Sequence, residues 1–277
     1  MMKKEFPKRA VVACQGISGS NSEAACRAVI PEGDIMFMSS FEAVFSAVES
    51  GLCDYGILPV ENSIHGSVTA VYDLMKKRSF RIVRAVRQSI NHALLANEGA
   101  RLADIREIVS HPQALAQCSE YLAKSRDVTV KSADNTAVAA RTVAESGRKD
   151  IAAIADASCA SLYGLRVIKK GIQDSEINLT RFVCIAKEEE NYPDADRISV
   201  MFTLPNKPNA LCEVLTEFAS LGLNLTKIES RPVREAFEFM FYLDFEASMS
   251  DSRVAELIEK MREKLDYFEF LGNYREL

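Results

Sequence analysis

Short apolar runs that alternate with helical patterns dominate residues 10–185, and this alternation most constrains the fold. Ala10–Cys14, Ile35–Met38 and Tyr55–Val60 have the length and composition of buried strands, and Ser20–Val29 has helical spacing. Chains that alternate in this way form open, mostly parallel sheets covered by helices. The sequence therefore predicts an α/β fold.

The same rhythm continues to residue 185. The further predicted strands are Ile82–Val86, His92–Ala96, Ile105–Val109, Val128–Val130 and Ile151–Ala155. The further predicted helices are Ser39–Glu49, with a capping box formed by Ser39 and Glu42, Ser67–Lys77, Pro112–Lys124, Ala137–Glu145 and Asp156–Tyr163. Each half is too short for a complete doubly wound domain. We therefore expect two lobes with a cleft between them, one of residues 8–85 plus 172–187 and the other of residues 86–171.

An acidic segment that contains a proline, residues 187–197, separates this region from a second one. The predicted order after it is strand Ile198–Leu204, helix Asn209–Leu221, strand Asn224–Pro232, strand Glu235–Phe245, helix Asp251–Leu265 and strand Phe268–Gly272. The order βαββαβ is that of a ferredoxin-like α+β domain. We assign it to residues 197–277.

Composition excludes several classes of function. The chain has 34 lysines and arginines against 39 aspartates and glutamates, so its charge gives no reason to expect a nucleic-acid partner. Its seven cysteines are scattered without a Cys-x-x-Cys pair and its three histidines are far apart, which argues against a disulfide framework or a metal site. No apolar run is long enough for a membrane span or a secretory signal, so we expect a cytoplasmic protein without a membrane partner.

Polar clusters directly follow predicted strands, where the ligands of open α/β sheets bind. Three such clusters are Gln15–Ser20, Glu61–Ser67 and Ser110–Leu115, and a fourth polar cluster, Gln173–Phe182, leads into the last predicted strand of this region. Each is weak alone: Gly16-x-x-Gly19 lacks the lysine of a phosphate loop, and Ser110 before Pro112 is typical of a helix cap. Together, hydroxyls, helix N-termini and one arginine in a single cleft favour a small organic anion.

Four motifs, in order, carry a resemblance to a known family. They are Pro59–Val68 (PVENSIHGSV), Ser110–Cys118 (SHPQALAQC), Thr136–Ala140 (TAVAA) and Asn178–Phe182 (NLTRF). Over residues 8–187 the chain resembles the prephenate dehydratases, and Pro208–Cys212 and Glu229–Pro232 resemble the phenylalanine-binding ACT domain that usually follows. The resemblance implies a two-lobed catalytic domain like that of periplasmic binding proteins, with a cleft between the lobes.

The implied reaction is the decarboxylative dehydration of prephenate to phenylpyruvate, CO2 and water in phenylalanine synthesis, without a cofactor. Aromatisation of the ring drives it, so the site needs a donor at the departing hydroxyl and groups that bind two carboxylates. The resemblance assigns the donor to Thr180, which would act either as an oriented hydrogen-bond donor or in a relay with a carboxyl such as Glu61. Arg181 is a candidate to pair with a substrate carboxylate. Because neighbouring side chains of a strand point to opposite sides, only one of Thr180 and Arg181 faces the substrate, and we choose Thr180.

The resemblance also implies which residues bind the substrate. They are Asn62, Ser63, Ser110, His111, Gln113, Ala114, Leu115, Asn178 and Phe182. His111 is either a general acid or only part of a helix cap, and the proton-transfer role of Glu61 stays equally open.

The second region is expected to bind phenylalanine as an effector at a subunit interface. The implied residues are Asn209, Ala210, Leu211, Cys212, Glu229, Ser230, Arg231 and Pro232. Asn209 replaces the usual glycine; asparagine tolerates the same positive φ but adds bulk near the ligand. Ser18–Ser22 also departs from the family, which more often has an aromatic residue there.

Two alternatives remain at this point. A non-catalytic sensor or solute-binding protein would share the fold, but it would be expected to lose the Thr180 hydroxyl. Arogenate, the amino analogue of prephenate, is a second candidate substrate. We expect a single activity, since no mutase domain precedes residue 8, and a homo-oligomer, either a dimer or a homotetramer, assembled through the ACT domains.

Overall fold

The computed structural model describes residues 5–125, 127–233 and 238–277. Its strands are β1 (Val11–Gln15), β2 (Asp34–Met38), β3 (Tyr55–Asn62), β4 (Gly66–Ser67), β5 (Arg81–Ser89), β6 (Ala93–Ala96), β7 (Glu107–Ser110), β8 (Thr129–Ser132), β9 (Ile151–Ala155), β10 (Arg166–Lys170), β11 (Leu179–Ala186), β12 (Arg197–Leu204), β13 (Leu225–Val233), β14 (Glu238–Glu246) and β15 (Phe268–Glu276). Its α-helices are α1 (Asn21–Val29), α2 (Phe41–Glu49), α3 (Thr69–Met75), α4 (Pro112–Ala116), α5 (Ser119–Lys124), α6 (Thr136–Ser146), α7 (Ser158–Tyr163), α8 (Ala210–Ser220) and α9 (Ser252–Lys264).

The first lobe is built on β2, β1, β3, β11 and β5, which are adjacent in that order. Strand β1 runs parallel to β2 and β3, whereas β11 is antiparallel to both β3 and β5, so this sheet is mixed rather than mostly parallel as expected. Helix α1 covers one face through Ala25 and Val29, and α2 covers the other through Val44 and Phe45.

The second lobe contains a five-stranded sheet in the order β10-β6-β9-β7-β8. Strand β7 is parallel to β8 and β9, whereas β6 is antiparallel to β9 and β10. Helices α6 and α7 pack on one face, and α4 with the start of α5 packs on the other. The expected two-lobed α/β fold is confirmed.

The chain crosses between the lobes twice. Strand β5 stays in the first sheet as far as Ser89, so the first crossing lies a few residues later than expected, and the chain returns to the first lobe in β11. The loop before α1 also touches the second lobe: the Tyr163 hydroxyl donates to the Ser18 carbonyl, and the Cys159 Sγ lies 3.3 Å from the Gly19 carbonyl oxygen. The two lobes therefore enclose a cleft.

The C-terminal region has the predicted βαββαβ order. Strands β13, β14, β12 and β15 form an antiparallel sheet, and α8 and α9 bury Val214, Phe218 and Ile258 against it. The ferredoxin-like prediction is confirmed for the described part; residues 235–237 of the predicted strand Glu235–Phe245 lie outside it. Strand β15 continues beyond its predicted end at Gly272 and pairs in parallel with β5, so both regions share one sheet.

Several local predictions were wrong. The predicted helix Pro112–Lys124 is two helices, because the Asp174 carboxylate accepts from the backbone N–H groups of Ser119 and Glu120 and starts α5 there. Ser40, not Ser39, caps α2 by accepting from the Ala43 N–H. The predicted helix Ser67–Lys77 is shorter, because Gly66–Ser67 pair with β3.

Strand β10 was missed altogether. Three of its five residues are Arg166, Lys169 and Lys170, so it lacks the apolar alternation of a half-buried strand, as is common for the edge strand it forms. Among the described residues, none of the helices is both long and apolar enough to cross a membrane.

Candidate active site

A cavity of about 390 Å³ lies in the cleft between the lobes, and both lobes contribute to its walls. The first lobe supplies Gln15, Gly16, Ser20, Asn21, Ser22, Phe41, Pro59, Asn62, Val68, Thr180 and Phe182. The second lobe and its connections supply Ile90, His92, His111, Gln113, Ala114, Gln117, Asp134, Asn135 and Thr136. Its size and its polar lining suit a small polar molecule.

The Thr180 hydroxyl is held by a neighbouring amide in the cavity wall. Thr180 and Asn62 are directly opposite each other on β11 and β3, and the Asn62 Nδ2 donates to the Thr180 Oγ1 at 3.0 Å. The Asn62 Oδ1 accepts from the backbone N–H groups of Ile64 and His65, each at 3.1 Å, which fixes the orientation of the amide. A hydroxyl has one proton. Since the Thr180 oxygen accepts from Asn62, that proton remains to be donated to a bound molecule.

A buried chain of amides supports this pair from behind. The Asn62 Nδ2 also donates to the Asn178 Oδ1 at 2.8 Å, and the Asn178 Nδ2 donates to the Gln117 Oε1 at 3.0 Å. His92 Nε2 lies 2.8 Å from the same Gln117 oxygen, and burial lowers the pKa of His92. The ring is therefore neutral near pH 7, with its proton on Nε2. The chain of bonds joins the two lobes at the back of the cavity.

Two helix N-termini reach the cavity walls. Helix α1 begins after Ser20, whose hydroxyl accepts from the Glu23 N–H, and α6 begins after Asn135, whose side chain accepts from the Val138 N–H at 2.8 Å. The first N–H groups of a helix have no partner within it and carry partial positive charge. These ends therefore favour a bound anion.

The lining carries little formal charge. Among the lining residues within the described ranges, Asp134 is the only acidic one, and none is a lysine or an arginine. Burial lowers the pKa of His111, although the nearby Asp134 partly offsets this effect, so His111 adds no full positive charge near pH 7. Anion binding here depends on neutral donors and helix ends. Nor do the described residues contain a group of three or more His, Cys, Asp and Glu side chains placed to hold a metal ion.

Comparison with known families decides the family of the chain. A family model described as prephenate dehydratase matches residues 12–190, and an ACT domain model matches residues 198–263. The chain belongs to the prephenate dehydratase family. It is accordingly a dehydratase, a member of the lyases, with a C-terminal ACT domain.

Individual relatives agree with this family. "Arogenate dehydratase/prephenate dehydratase 2, chloroplastic" of Arabidopsis thaliana is 39% identical over 96% of this chain and 73% of its own length. A prephenate dehydratase from Arthrobacter aurescens, solved in complex with L-Phe, is 30% identical with a TM-score of 0.87, over 96% of this chain and 89% of that one. GqqA, described as a novel type of quorum quenching acylase, is 30% identical with a TM-score of 0.86, over 95% and 97%.

Arg181 does not reach the cavity, which corrects its predicted place at a substrate carboxylate. Its side chain lies on the opposite side of β11 from Thr180, as the alternation of a strand requires. There its Nη1 lies 2.5 Å from the Asp244 Oδ2, its Nε 2.8 Å from the Glu276 Oε1 and its Nη2 2.8 Å from the Tyr274 hydroxyl. Burial opposes its charge, but these three partners outweigh burial and raise the pKa of Arg181.

Glu61 also lies away from the cavity. It neighbours Asn62 on β3 and points to the other side of the strand, where its Oε1 lies 3.1 Å from the Nζ of Lys227 in the ACT domain. A direct relay from Glu61 to the Thr180 hydroxyl would have to cross the strand. The structure therefore does not support the predicted relay.

The other implied substrate-binding residues divide into two groups. Asn62, His111, Gln113, Ala114 and Phe182 line the cavity, whereas Ser63, Ser110, Leu115 and Asn178 do not. The Ser63 Oγ accepts from the Leu179 N–H, and the Ser110 hydroxyl donates to the Ile154 carbonyl at 2.6 Å. Leu115 packs against the apolar core of the second lobe. His111, not Ser110, caps α4, with its Nδ1 accepting from the Gln113 N–H at 3.2 Å.

Sequence reasoning gave no substrate role to several residues that line the cavity. Gln15 and Gly16 were included in a polar cluster of the cleft but were not assigned to the substrate, and Asn135, which caps α6, was not singled out although it follows a predicted strand. Gln117 lies in the motif Ser110–Cys118 but was given no role, and His92 had no local signal, because it meets Gln117 through a hydrogen bond between distant segments.

The implied effector residues lie at the start of α8 and on β13. Asn209 has a φ of 71°, so asparagine takes the left-handed conformation for which glycine is usual. On β13 the Glu229 carboxylate accepts from the Ser67 hydroxyl at 2.6 Å, and Arg231 lies 3.4 Å from Asp73. Two of the four implied β13 side chains thus touch the first lobe.

Proposed function

We propose that this enzyme converts prephenate to phenylpyruvate, CO2 and water. In this reaction the bond from the ring to its carboxylate breaks and releases CO2, its electron pair enters the ring, and the C4–O bond breaks so that the hydroxyl leaves, stabilised by a hydrogen bond, and becomes water with one proton taken up from solvent. The observation that carries the proposal is the Thr180 hydroxyl, whose oxygen accepts from Asn62 and whose proton is left for a bound molecule.

Each part of the cavity has a role in this proposal. Thr180 donates to the departing hydroxyl, and a positioned donor of this kind contributes about 10²–10⁴-fold. The N-termini of α1 and α6 bind the two carboxylates of prephenate, and Phe182, on the same side of β11 as Thr180, packs near the ring. Aromatisation supplies the driving force, so no cofactor is required.

Arogenate is the second candidate substrate. Relatives at 37–40% identity are named arogenate dehydratases. Arogenate carries an ammonium group where prephenate has a keto group, and Asp134 supplies a carboxylate in the wall that suits such a cation. The predominance of neutral donors in the lining supports the dianionic prephenate as the first choice.

The activity named for GqqA fits this cavity less well. Acyl transfer uses a nucleophile activated by an adjacent base. The Thr180 oxygen accepts a hydrogen bond from the Asn62 side-chain amide, and an amide N–H cannot act as a base that removes the hydroxyl proton. The arrangement is that of a hydrogen-bond donor to the substrate rather than of a nucleophile.

Phenylalanine is proposed as the effector, and the ACT domain as its site and as the contact between subunits. The L-Phe complex of the Arthrobacter relative and the positive φ of Asn209 support the effector. Strand β13 forms one end of the ten-stranded sheet, and an end strand is suited to pair with a second copy. A dimer or a tetramer is built in this way.

Replacement of Thr180 tests the proposal. Thr180→Ala removes the donor and should lower kcat on prephenate by about 10²–10⁴-fold, whereas Thr180→Ser keeps the hydroxyl and should retain most activity. The measurement is the alkaline absorbance of phenylpyruvate formed without added cofactor. Wild-type turnover by Thr180→Ala would remove Thr180 from the donor role.

A further inference from the structure

Strands β11 and β3 hold Thr180 and Asn62 on the side that faces the cavity, and they hold another pair of facing residues on the opposite side. Thr180 is opposite Asn62 in the register of β11 and β3, and Arg181 is opposite Glu61. The first pair lines the cavity, and the second pair faces the ACT domain. Thr180 and Asn62 are therefore each next in the chain to a residue that the ACT domain contacts, Arg181 and Glu61 respectively.

Glu61 belongs to what we term the Lys227 cluster, which consists of Lys227, Glu61, Ser67 and Glu229. The Lys227 Nζ lies 3.1 Å from the Glu61 Oε1 and donates to the Ser67 Oγ, also at 3.1 Å. The Ser67 hydroxyl in turn donates to the Glu229 Oε2 at 2.6 Å. The Lys227 side chain is only 7% exposed, so water screens its charge little.

Arg181 belongs to what we term the Arg181 cluster, which consists of Arg181, Asp244, Tyr274 and Glu276. The side chains of Arg181 and Glu276 are each 8% exposed and that of Asp244 is 10% exposed. Removal of one partner from such a buried pair leaves an uncompensated charge and is strongly destabilising. The cluster therefore holds β11 firmly against β14 and β15.

We propose that Glu61 and Arg181 are positioning residues: through the Lys227 and Arg181 clusters, the ACT domain sets the relative place of β3 and β11 and so aligns Asn62 with the Thr180 hydroxyl. This inference rests on the proposed function. A displacement of about 1 Å at a reacting group can cost about 10²-fold in rate, so small shifts of these strands are enough to change turnover. Glu229, an implied effector residue, is part of the Lys227 cluster. The cluster therefore links the implied effector region to Glu61 on β3.

The Lys227 cluster permits a clean test, because Glu61 is more exposed than Arg181. Glu61→Gln and Lys227→Gln each break the ion pair while nearly preserving shape, and each should lower kcat by about 3- to 30-fold with KM within twofold. The double variant should be no slower than the worse single variant, because both act through one contact. Lys260→Gln is the matched control, since Lys260 pairs with Glu217 inside the ACT domain and should keep wild-type kcat.

Two further variants guard against loss of folding. Lys227→Arg keeps the charge and should stay within twofold of wild-type kcat. Ser67→Ala removes only the hydroxyl between Lys227 and Glu229 and should lower kcat, as Lys227→Gln does. Thermal unfolding is recorded for every variant to show that each one folds.

The outcomes are distinct. If Glu61→Gln loses activity while Lys227→Gln does not, Glu61 acts in the chemistry itself and the inference is overturned. Wild-type kcat in both single variants, or losses that multiply in the double variant, would overturn it as well. Activity of the unmodified chain on prephenate and arogenate is measured first, so that a failure of the proposed function is seen separately.

Discussion

At the scale of single residues, the alternation of a strand decides which groups meet the substrate. The alternation rule alone indicated that Thr180 and Arg181 point to opposite sides, and the structure places Thr180 in the cavity wall and Arg181 against Asp244 and Glu276. The partners of Arg181 could not be predicted, because they lie far along the chain with no local pattern to connect them. The same holds for the contact between Asn62 and Asn178, which only the folded register of β3 and β11 creates.

His92 gives a residue-scale prediction about pH. Burial lowers the pKa of His92 in the folded protein below the ordinary value of about 6.5, so the unfolded chain binds more protons near pH 6. Its contribution to stability is therefore complete above about pH 6.5 and is lost as the pH falls toward the folded pKa. The free energy of unfolding in urea should fall between pH 7 and pH 5, and His92→Gln should reduce that fall. Equal slopes in both proteins would show that His92 is not held neutral.

At the scale of elements, strands with an apolar pattern were predicted well and those defined by their neighbours were not. Strand β9 was predicted with its observed bounds, because Ile151–Ala155 is a short apolar run. Strand β10 has a largely charged sequence and forms as a partner of β6, and β15 runs past Gly272 by pairing first with β12 and then with β5. The apolar pattern therefore failed to predict those strands whose formation depends on pairing with a strand distant in sequence.

Gly272 should be essential for the junction of the two sheets. A Cβ at Gly272 would lie 2.1 Å from the carbonyl oxygen of Ile82, a backbone atom that cannot turn aside. Gly272→Ala should therefore lower the free energy of unfolding by about 3 kcal/mol or more, at the upper end of what overpacking costs. Gly222→Ala is the control: it also has a positive φ but has open space around a Cβ, and should cost about 1 kcal/mol. Equal losses in urea unfolding would contradict this account of the junction.

At the scale of the whole molecule, the ACT domain is part of the body that carries the cavity. Strand order in the C-terminal region predicted the domain correctly, but the acidic segment at residues 187–197 gave no sign that β15 extends the sheet of the first lobe. The strands that hold Thr180 and Asn62 also contact the ACT domain, through the side chains of Arg181 and Glu61. An effector that shifts this domain can therefore act on the cavity without entering it.

The most direct test of the account is a comparison of kcat/KM on prephenate and on arogenate for the full chain, with phenylpyruvate and phenylalanine measured as the respective products. A cavity whose carboxylate sites are helix ends and neutral donors should favour the dianionic prephenate, so we expect the larger kcat/KM for prephenate. A larger value for arogenate would make Asp134 the group that selects the substrate. Absence of product from both substrates would contradict the account as a whole.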